Sequence, residues 1–458
     1  MERSLYLGID SGLTNIKISI FDDKGNSLFS VSRKTFLDGN TVPTKKLWQN
    51  VLDCLVSGRE SGLYPFVKGV SVSGHGNGLY CFSNGAPMET GYSSMFQGEL
   101  PNETPFAITL QQAWAGQPLS ILKYLKSKPD IYKKIDKICF CKDFIRFMLT
   151  GNLYTEITDA SAGGILDNTS FKPSDELFNA YDLLDKKDCI PEIVLPTTIC
   201  GSLTKEICDL TGLNPDVKVI AGAFDVVSCM IGSGVINDGN AGVISGTWGI
   251  NSVISNTPAK SQNITQCAGF VDGKYICIDS APTSSVNLEW FLKNVHNFSY
   301  DEVNEIAKDA HTSITYLPYI YPPMDEPYRK ASFVGLSANN EKEEFLKAVL
   351  CGIAFEHRRN IEKLRSANLS VESIILTGGA SNSDNLCQLF SDVLQIPVTI
   401  NEEKESGALG CAVLSSVALN KYPSILDAVN VMVKGKKTYL PKDNYEKEYA
   451  KFIKILGV

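Results

Sequence analysis

The sequence predicts an α/β protein made of two similar halves. Short β-prone runs broken by turn residues open the chain, the same theme returns about half a chain later, and strongly periodic helical segments follow it. The first occurrence is LYLGI (residues 5 to 9), IKISIF (16 to 21) and SLFSV (27 to 31), separated by Ser11-Gly12 and Asp23-Lys24-Gly25, the pattern of an antiparallel meander. The second is NAGVISGTWGINSVIS at 240 to 255, again a β-run, a Ser/Gly/Thr turn and a β-run. Residues 341 to 364 place Leu346, Val349, Leu350, Ile353, Ile361 and Leu364 mostly three or four apart, which predicts an amphipathic helix. SIILTGGASNSDNLCQLFSDVL at 373 to 394 then reads as a strand, a Gly-rich turn and a helix capped near Ser381 or Ser383. Asn237-Asp238-Gly239-Asn240 interrupts the apolar pattern and sets the expected boundary between a first domain at 1–238 and a second at 239–458.

Composition narrows the function. The chain has 458 residues, 43% hydrophobic and 21% charged, values of a folded globular protein with room for two or three domains. Its 43 basic and 51 acidic residues leave a net charge of −8, so broad binding to a nucleic-acid backbone is not expected. Thirteen scattered cysteines without a C-x-x-C pair indicate neither a disulfide framework nor a zinc ribbon, and a reducing, cytoplasmic setting is expected. The opening MERSLYLGID lacks the pattern of a signal peptide. Residues 219 to 236 (VIAGAFDVVSCMIGSGVI) hold one ionisable group, Asp225. A carboxylate at a bilayer centre costs about 2.5 to 3.5 kcal/mol on insertion scales, so a buried element is expected there and no membrane span.

Three loops carry candidate chemistry. In GIDSGLTNIK (8 to 17) a strand delivers Asp10, Gly12 permits close backbone approach, Thr14 offers a hydroxyl and Lys17 a positive charge, a set able to hold a metal-bound phosphate. SGTWG at 245 to 249 supplies small residues and the Thr247 hydroxyl, and LTGGASNS at 376 to 383 is a strand-to-helix Gly-Gly turn. Each loop taken alone is also an ordinary turn. Asp225 is the most informative residue: a lone charge in an apolar window must face a polar cavity, find a partner or hold its proton. A carboxylate against a substrate hydroxyl is what phosphoryl transfer from a nucleotide requires, whereas a helix cap or a buried salt bridge is the structural alternative. The P-loop, G-x-G-x-x-G, G-x-S-x-G and H-E-x-x-H patterns are absent, and His75, His296, His311 and His357 show no metal-ligand spacing.

GIDSGLTNIK, GAFDVVSCMIGSG, ISGTWG, LTGGAS and ESGALGCAV follow one another in an order and spacing that resembles the FGGY carbohydrate kinases over nearly the whole chain. FVGLSANNEKEEFLKAVLCGIAFE is similar to that family's second-half signature, with Cys351 where an acidic or amide residue is usual. The resemblance implies a two-domain α/β fold of the actin/hexokinase (ribonuclease H-like) type with a deep interdomain cleft, and transfer of a phosphoryl group from ATP to a sugar with Mg2+ as cofactor. It implies that Asp10 is the magnesium-associated carboxylate, with Gly12, Thr14 and Lys17 around the transferred phosphate. Gly246 and Thr247 resemble the second phosphate loop, and Gly378, Gly379, Ala380 and Asn382 the turn against adenosine. Asp225 resembles the catalytic base, and Glu405 through Gly410 the small-residue helix start beside it.

SVSGHGNGLYCF (71 to 82), WAGQPLSILKYLK (114 to 126) and AFDVVS (223 to 228) are most similar to the xylulose kinase branch, the L-xylulose kinases above all. A pentulose such as xylulose or L-xylulose is therefore the expected substrate, touched by His75, Gly76, Asn77 and Asp225, with Trp114 and Gln117 as further candidates that are equally core residues. One departure stands out: Met95, Phe96 and Gln97 occupy the place where the family carries an Asp and an Arg for sugar hydroxyls. The alternative function is a catalytically silent regulator that binds nucleotide or sugar on the same fold, and an actin-like filament or chaperone-type ATPase shares the fold without the motif set. Kinases of this fold are often homodimers, and the sequence carries no interface signature.

Overall fold

The computed structural model describes residues 3–246, 248–271, 273–323 and 325–457. The chain divides into two compact units, the first comprising Met1–Ile236, Asn256–Ile276 and Glu405–Lys434, the second Asn237–Ser255, Cys277–Lys404 and Gly435–Val458.

The first unit is built on a six-stranded mixed sheet. β1 (Leu5–Ser11), β2 (Asn15–Phe21) and β3 (Ser27–Lys34) form the antiparallel meander. β4 (Val67–Gly74) runs parallel to β1. β5 (Ile199–Ser202) and β6 (Lys218–Ile220) pair antiparallel, β6 runs parallel to β4, and the order is β5-β6-β4-β1-β2-β3. Leu5, Tyr6, Leu7 and Ile9 are all buried, the continuous apolar run of a central strand covered on both faces. The Thr44–Gly58 helix buries Leu47, Val51, Cys54 and Leu55 and packs against β2 and β3. The Ser406–Ala418 helix is buried from Ser406 through Ser416, the burial of a helix with no solvated stripe, and it packs against β1 and β4.

That helix also packs against Asp225–Ser233, the element predicted to be buried. A methyl at Gly410 would overlap the Ser228 carbonyl oxygen, and one at Gly232 would overlap that of Ser406. The two helices therefore meet backbone to backbone, which any side chain at these positions would prevent. Among the described residues no helix is long and apolar enough to cross a membrane.

The second unit repeats the topology. β7 (Asn240–Ser245) and β8 (Gly249–Ser255) form an antiparallel hairpin, and β9 (Tyr275–Ala281) lies beside β8. β10 (Ser373–Gly378) runs parallel to β7, β11 (Val398–Asn401) parallel to β10, and β12 (Gly435–Tyr439) antiparallel to β11. The strand order β9-β8-β7-β10-β11-β12 matches β3-β2-β1-β4-β6-β5 of the first unit. The helix expected over 341 to 364 is present as Lys342–Ser366, and the helix after the Gly-Gly turn as Asp384–Leu394. Of the two cap candidates, Ser383 is the cap, its hydroxyl accepting from the Leu386 N–H at 3.1 Å.

The Glu446–Leu456 helix is tied to the second unit through His311, whose ring stacks on Tyr445 at 4.1 Å. His311 Nδ1 lies 2.7 Å from Glu448 and Nε2 3.0 Å from Asp443. Burial lowers the His311 pKa, but the two carboxylates outweigh it and hold the value above its ordinary one. The fold thus favours the protonated ring, so its contribution is fully present below about pH 6.5, the unfolded value, and is lost as pH rises through the folded one. His311→Ala is expected to lower the melting temperature more at pH 6 than at pH 9, checked by thermal melts of both proteins at the two pH values.

Candidate active site

Asp10 leaves the penultimate position of β1, beside the β1–β2 turn, where it pairs in register with Lys17 across the hairpin. Lys17 Nζ lies 2.7 Å from Glu405 Oε2, so the lysine foreseen beside a phosphate is held by a carboxylate at the start of the Ser406–Ala418 helix. Gly407, in the first turn of that helix, faces Asp10 directly: a methyl there would overlap Asp10 Oδ2. Burial raises Asp10 to about 6, with Lys17 pulling it down and Glu405 pushing it up. Gly12 N–H donates to the Asn15 carbonyl at 3.0 Å and its own carbonyl accepts from the Thr35 hydroxyl at 2.7 Å, while Thr14 is exposed.

Asp225 opens the helix Asp225–Ser233, and its Oδ1 accepts from the Val226 N–H at 2.7 Å. Burial first, and the charge on Asp10 second, raise it to about 7, against hydrogen bonds from the Val226 and Gly76 amides. Among the described residues no ion pair involves Asp225, so the salt-bridge alternative does not apply. The result is a carboxylate poised to exchange a proton near neutral pH.

A fully buried ionic cluster holds the segment that delivers Asp225. Lys142 Nζ lies 2.9 Å from Asp143, 3.1 Å from Asp159 and 3.6 Å from Glu156, and Arg146 lies 3.0 Å from Asp143. Arg146 also donates to the Ala221 carbonyl at 2.8 Å, and the Thr158 hydroxyl, bonded to Glu156, accepts from the Phe224 N–H at 3.0 Å. Both ends of the connection from β6 to the Asp225 helix are thereby fixed. Burial pushes Asp159 well above the ordinary carboxylate range against the pull of Lys142. Asp143 stays below that range because Lys142 and Arg146 overcome its burial.

The loop after β4 carries His75, Gly76 and Asn77. His75 is buried, burial lowers it to about 4, and Nε2 lies 2.9 Å from the Tyr80 hydroxyl, so the ring is neutral. Asn77 sits at φ +58° with its buried Oδ1 lacking a hydrogen-bond partner, an open acceptor. Gly76 meets the Phe224 ring where a side chain would not fit, and its amide bonds Asp225. Phe96 packs edge-on between Tyr92 (4.8 Å) and Tyr124 (5.2 Å), Met95 is 45% exposed, and Gln97 Nε2 donates to the Met95 carbonyl at 3.2 Å. Phe96 is thus bound into the aromatic core. Gln117 Oε1 accepts from the Trp114 N–H at 3.1 Å, which fixes that turn from within.

In the second unit, Ser245 and Gly378 are register partners on β7 and β10. Gly378 takes φ +83°, and a methyl there would stand 2.5 Å from the Ser245 carbonyl oxygen. The Gly246 carbonyl accepts from the Ser285 N–H at 2.8 Å; Thr247 lies outside the described residues. A cavity of about 710 Å³ is lined on its polar side by Ser245, Ser285, Asn304, Gly379 and Asn382, and on its apolar side by Leu288, Ile353, Ala380 and Phe390. Asn382 Oδ1 accepts from Lys404 Nζ. Glu289, Asp301 and Asp384 also line the cavity, and among the described residues no Lys or Arg does, so the neutral groups it offers are amides and hydroxyls beside an apolar wall.

Sequence reasoning placed Asp10 at a strand end, the Gly-Gly turn between strand and helix and Asp225 in a buried element, but not the ionic cluster or Asn304. The cluster left a trace in CFCKDFIRFML, where Lys142, Asp143 and Arg146 interrupt an apolar helix, and in Glu156 and Asp159 three residues apart.

Two family models match the chain, the C-terminal domain of the FGGY family of carbohydrate kinases over residues 241–419 and its N-terminal domain over 91–232. A probable L-xylulose kinase of Haemophilus influenzae is 28% identical over 98% of both chains. The L-xylulose/3-keto-L-gulonate kinase of Escherichia coli is 27% identical over 78% of this chain and 73% of its own. Among solved structures, xylulose kinase from Rhodospirillum rubrum superposes with a TM-score of 0.89 at 19% identity, covering 99% of this chain and 98% of that one. Gluconate kinase from Lactobacillus acidophilus gives 0.88 at 22% identity, covering 99% and 96%. The fold is therefore the two-domain α/β fold of the actin/hexokinase type.

Removing the cation from a buried cluster leaves its acids uncompensated. Lys142→Met is expected to lower the unfolding free energy by about 3 to 5 kcal/mol, measured by urea melts, a cost typical of breaking a buried ion pair.

Proposed function

The chain belongs to the FGGY family of carbohydrate kinases, and on that premise we propose that it phosphorylates a hydroxyl of a xylulose-type pentulose with Asp225 as general base. ATP-dependent phosphorylation of a sugar is the family's chemistry; the base and the sugar are the proposal. The observation that carries the base is Asp225 itself, raised to about 7 by burial and by Asp10, with no cation paired to it among the described residues.

In the proposed step the sugar oxygen attacks the γ-phosphorus while its proton passes to Asp225. The bond from that phosphorus to the β,γ-bridging oxygen breaks, and ADP leaves. His75, neutral, and Asn77, with its open acceptor, supply uncharged hydrogen-bonding groups suited to the hydroxyls of an uncharged sugar. The backbone around Gly246 and the turn Gly378, Gly379, Ala380 and Asn382 are proposed to take the nucleotide, with Gly12, Thr14 and Lys17 near the transferred phosphate.

Asp10 fits a magnesium ion carried by nucleotide phosphates. Such an ion commonly takes one or two protein carboxylates and keeps water and phosphate for the rest, and only the absence of a side chain at Gly407 keeps Oδ2 from being displaced. When bound, it would neutralise charge on the phosphoryl oxygens. The pentulose assignment is supported by the L-xylulose and xylulose kinases among the relatives and by the neutral groups beside Asp225. ADP release measured across ketoses, polyols and aldonic acids tests it: pentuloses are expected to turn over fastest, and turnover confined to gluconate or glycerol would refute it.

Asp225→Asn is expected to lower kcat by about 10² to 10⁴ while leaving the fold intact. In the wild type, kcat/KM should rise with pH to a plateau above about pH 7, since the base must be ionised. The stability effect has the opposite sign. The unfolded carboxyl ionises near pH 4 and the folded one near 7, so the wild type loses stability as pH rises between those values. Without divalent cations, Asp225→Asn should therefore gain more in melting temperature at pH 8 than at pH 5. Full activity in this variant would exclude Asp225 as the base.

A further inference from the structure

We infer that His357 is a positioning residue for phosphoryl transfer, fixing through Ser284 and Ser245 the end of β7 that leads into the β7–β8 turn. The inference rests on the proposal that this turn faces the phosphates of the nucleotide. Ser284 Oγ lies 3.0 Å from His357 Nε2 and 3.0 Å from Ser245 Oγ, and His357 Nδ1 lies 2.9 Å from Asn251 Oδ1. All four residues are at most 2% exposed. One continuous hydrogen-bonded chain thus runs from β8 through the Lys342–Ser366 helix and the start of the Ser285–Asn294 helix to the last residue of β7.

The chain has a direction. Asn251 Oδ1 accepts from Nδ1–H, which leaves Nε2 to accept the Ser284 hydroxyl, and Ser284 Oγ in turn accepts the Ser245 hydroxyl. Burial lowers His357 to about 4, so the ring stays neutral at physiological pH. The ring reaches Ser284 past Gly249, where a methyl would stand 3.1 Å from His357 Cε1 and 3.2 Å from Ser284 Cβ. Ser285 grips the same turn from the next position, its N–H donating to the Gly246 carbonyl at 2.8 Å and its hydroxyl to the Ser245 carbonyl at 3.1 Å. Ser245 and Ser285 both line the 710 Å³ cavity, as does Phe390, whose ring lies 5.3 Å from that of His357.

A turn that must present amides to a phosphate loses conformational freedom when the ligand binds, unless that freedom has already been removed. The relay removes it in advance. A histidine that merely fills the core would weaken every ligand and the fold together, whereas a positioning histidine acts on the phosphates alone.

Calorimetric binding of ADP and of adenosine to the full-length protein separates the cases, with thermal melts and steady-state kinetics alongside. The wild type is expected to bind ADP more tightly than adenosine. His357→Leu and Ser284→Ala should bind adenosine within about twofold of wild type, lose about tenfold of the ADP advantage and lower kcat at unchanged sugar KM. His357→Gln, which keeps an acceptor for the Ser284 hydroxyl, should recover most of the loss. An unchanged ADP-to-adenosine ratio in folded Ser284→Ala or His357→Leu overturns the role, as does an equal loss of both ligands. A wild type that binds both equally refutes instead the placement of the turn at the phosphates.

Discussion

Contact between two backbones, at Gly232 on one helix and Gly410 on the other, is the constraint from which the first unit's chemistry follows. It sets Ser406, the first residue of Ser406–Ala418, against Gly232 near the end of Asp225–Ser233, and the same helix packs on β1, where Gly407 meets Asp10 and Glu405 meets Lys17. Helices separated by side chains would stand about 8 to 10 Å apart, axis to axis, and leave room for water around both carboxylates. Burial is what raises Asp10 and Asp225 above the ordinary carboxylate range, the charge on Asp10 adding to the rise at Asp225. On the proposed reading, stability is given up at these positions for a group able to accept a proton at neutral pH.

The meander, the Lys342–Ser366 helix, the Gly-Gly turn and the Ser383 cap were legible because each rests on local signals: apolar period, turn residues and a capping hydroxyl. Asp225 stood out in the sequence for another reason, since a lone acid in an apolar window is costly unless it is paired, protonated or turned to a polar cavity. What escaped was set by contacts distant in sequence. Nothing near Lys17 indicates that its partner is Glu405, far along the chain, nor does the linear sequence show that Phe96 joins Tyr92 and Tyr124 in an aromatic core. Two segments remote from the opening of the chain, 256–276 and 405–434, return to the first unit without any linker to announce them.

The two units share one strand topology and put it to different electrostatic use. Near the end of β1 stands Asp10, and at the end of β7, also before a hairpin turn, stands Ser245. Around the first are ionisable groups: Lys17, Glu405 and Asp225. Linked to the second by hydrogen bonds are neutral ones, Ser284, Ser285, Asn251 and the uncharged His357, while Glu289, Asp301 and Asp384 line the same cavity. A site proposed to move a proton needs a group whose charge can change, and Asp225 is such a group. A site proposed to hold a highly charged triphosphate gains from donors whose charge cannot change.

On the proposed reading, that contrast accounts for the hydroxyls hydrogen-bonded at the second turn. A lysine or arginine there would bind triphosphate and diphosphate strongly and slow the departure of ADP, since an ammonium attracts charge wherever it sits. Fixed amides and hydroxyls act over a short range and in one direction, so they favour the geometry in which the phosphoryl oxygens meet them. Their weakness is that each must be held in place, because a hydroxyl that rotates freely spends part of its time pointing elsewhere. A buried imidazole far from its own titration and bonded on both nitrogens provides that hold, orienting the hydroxyls without adding a charge of its own.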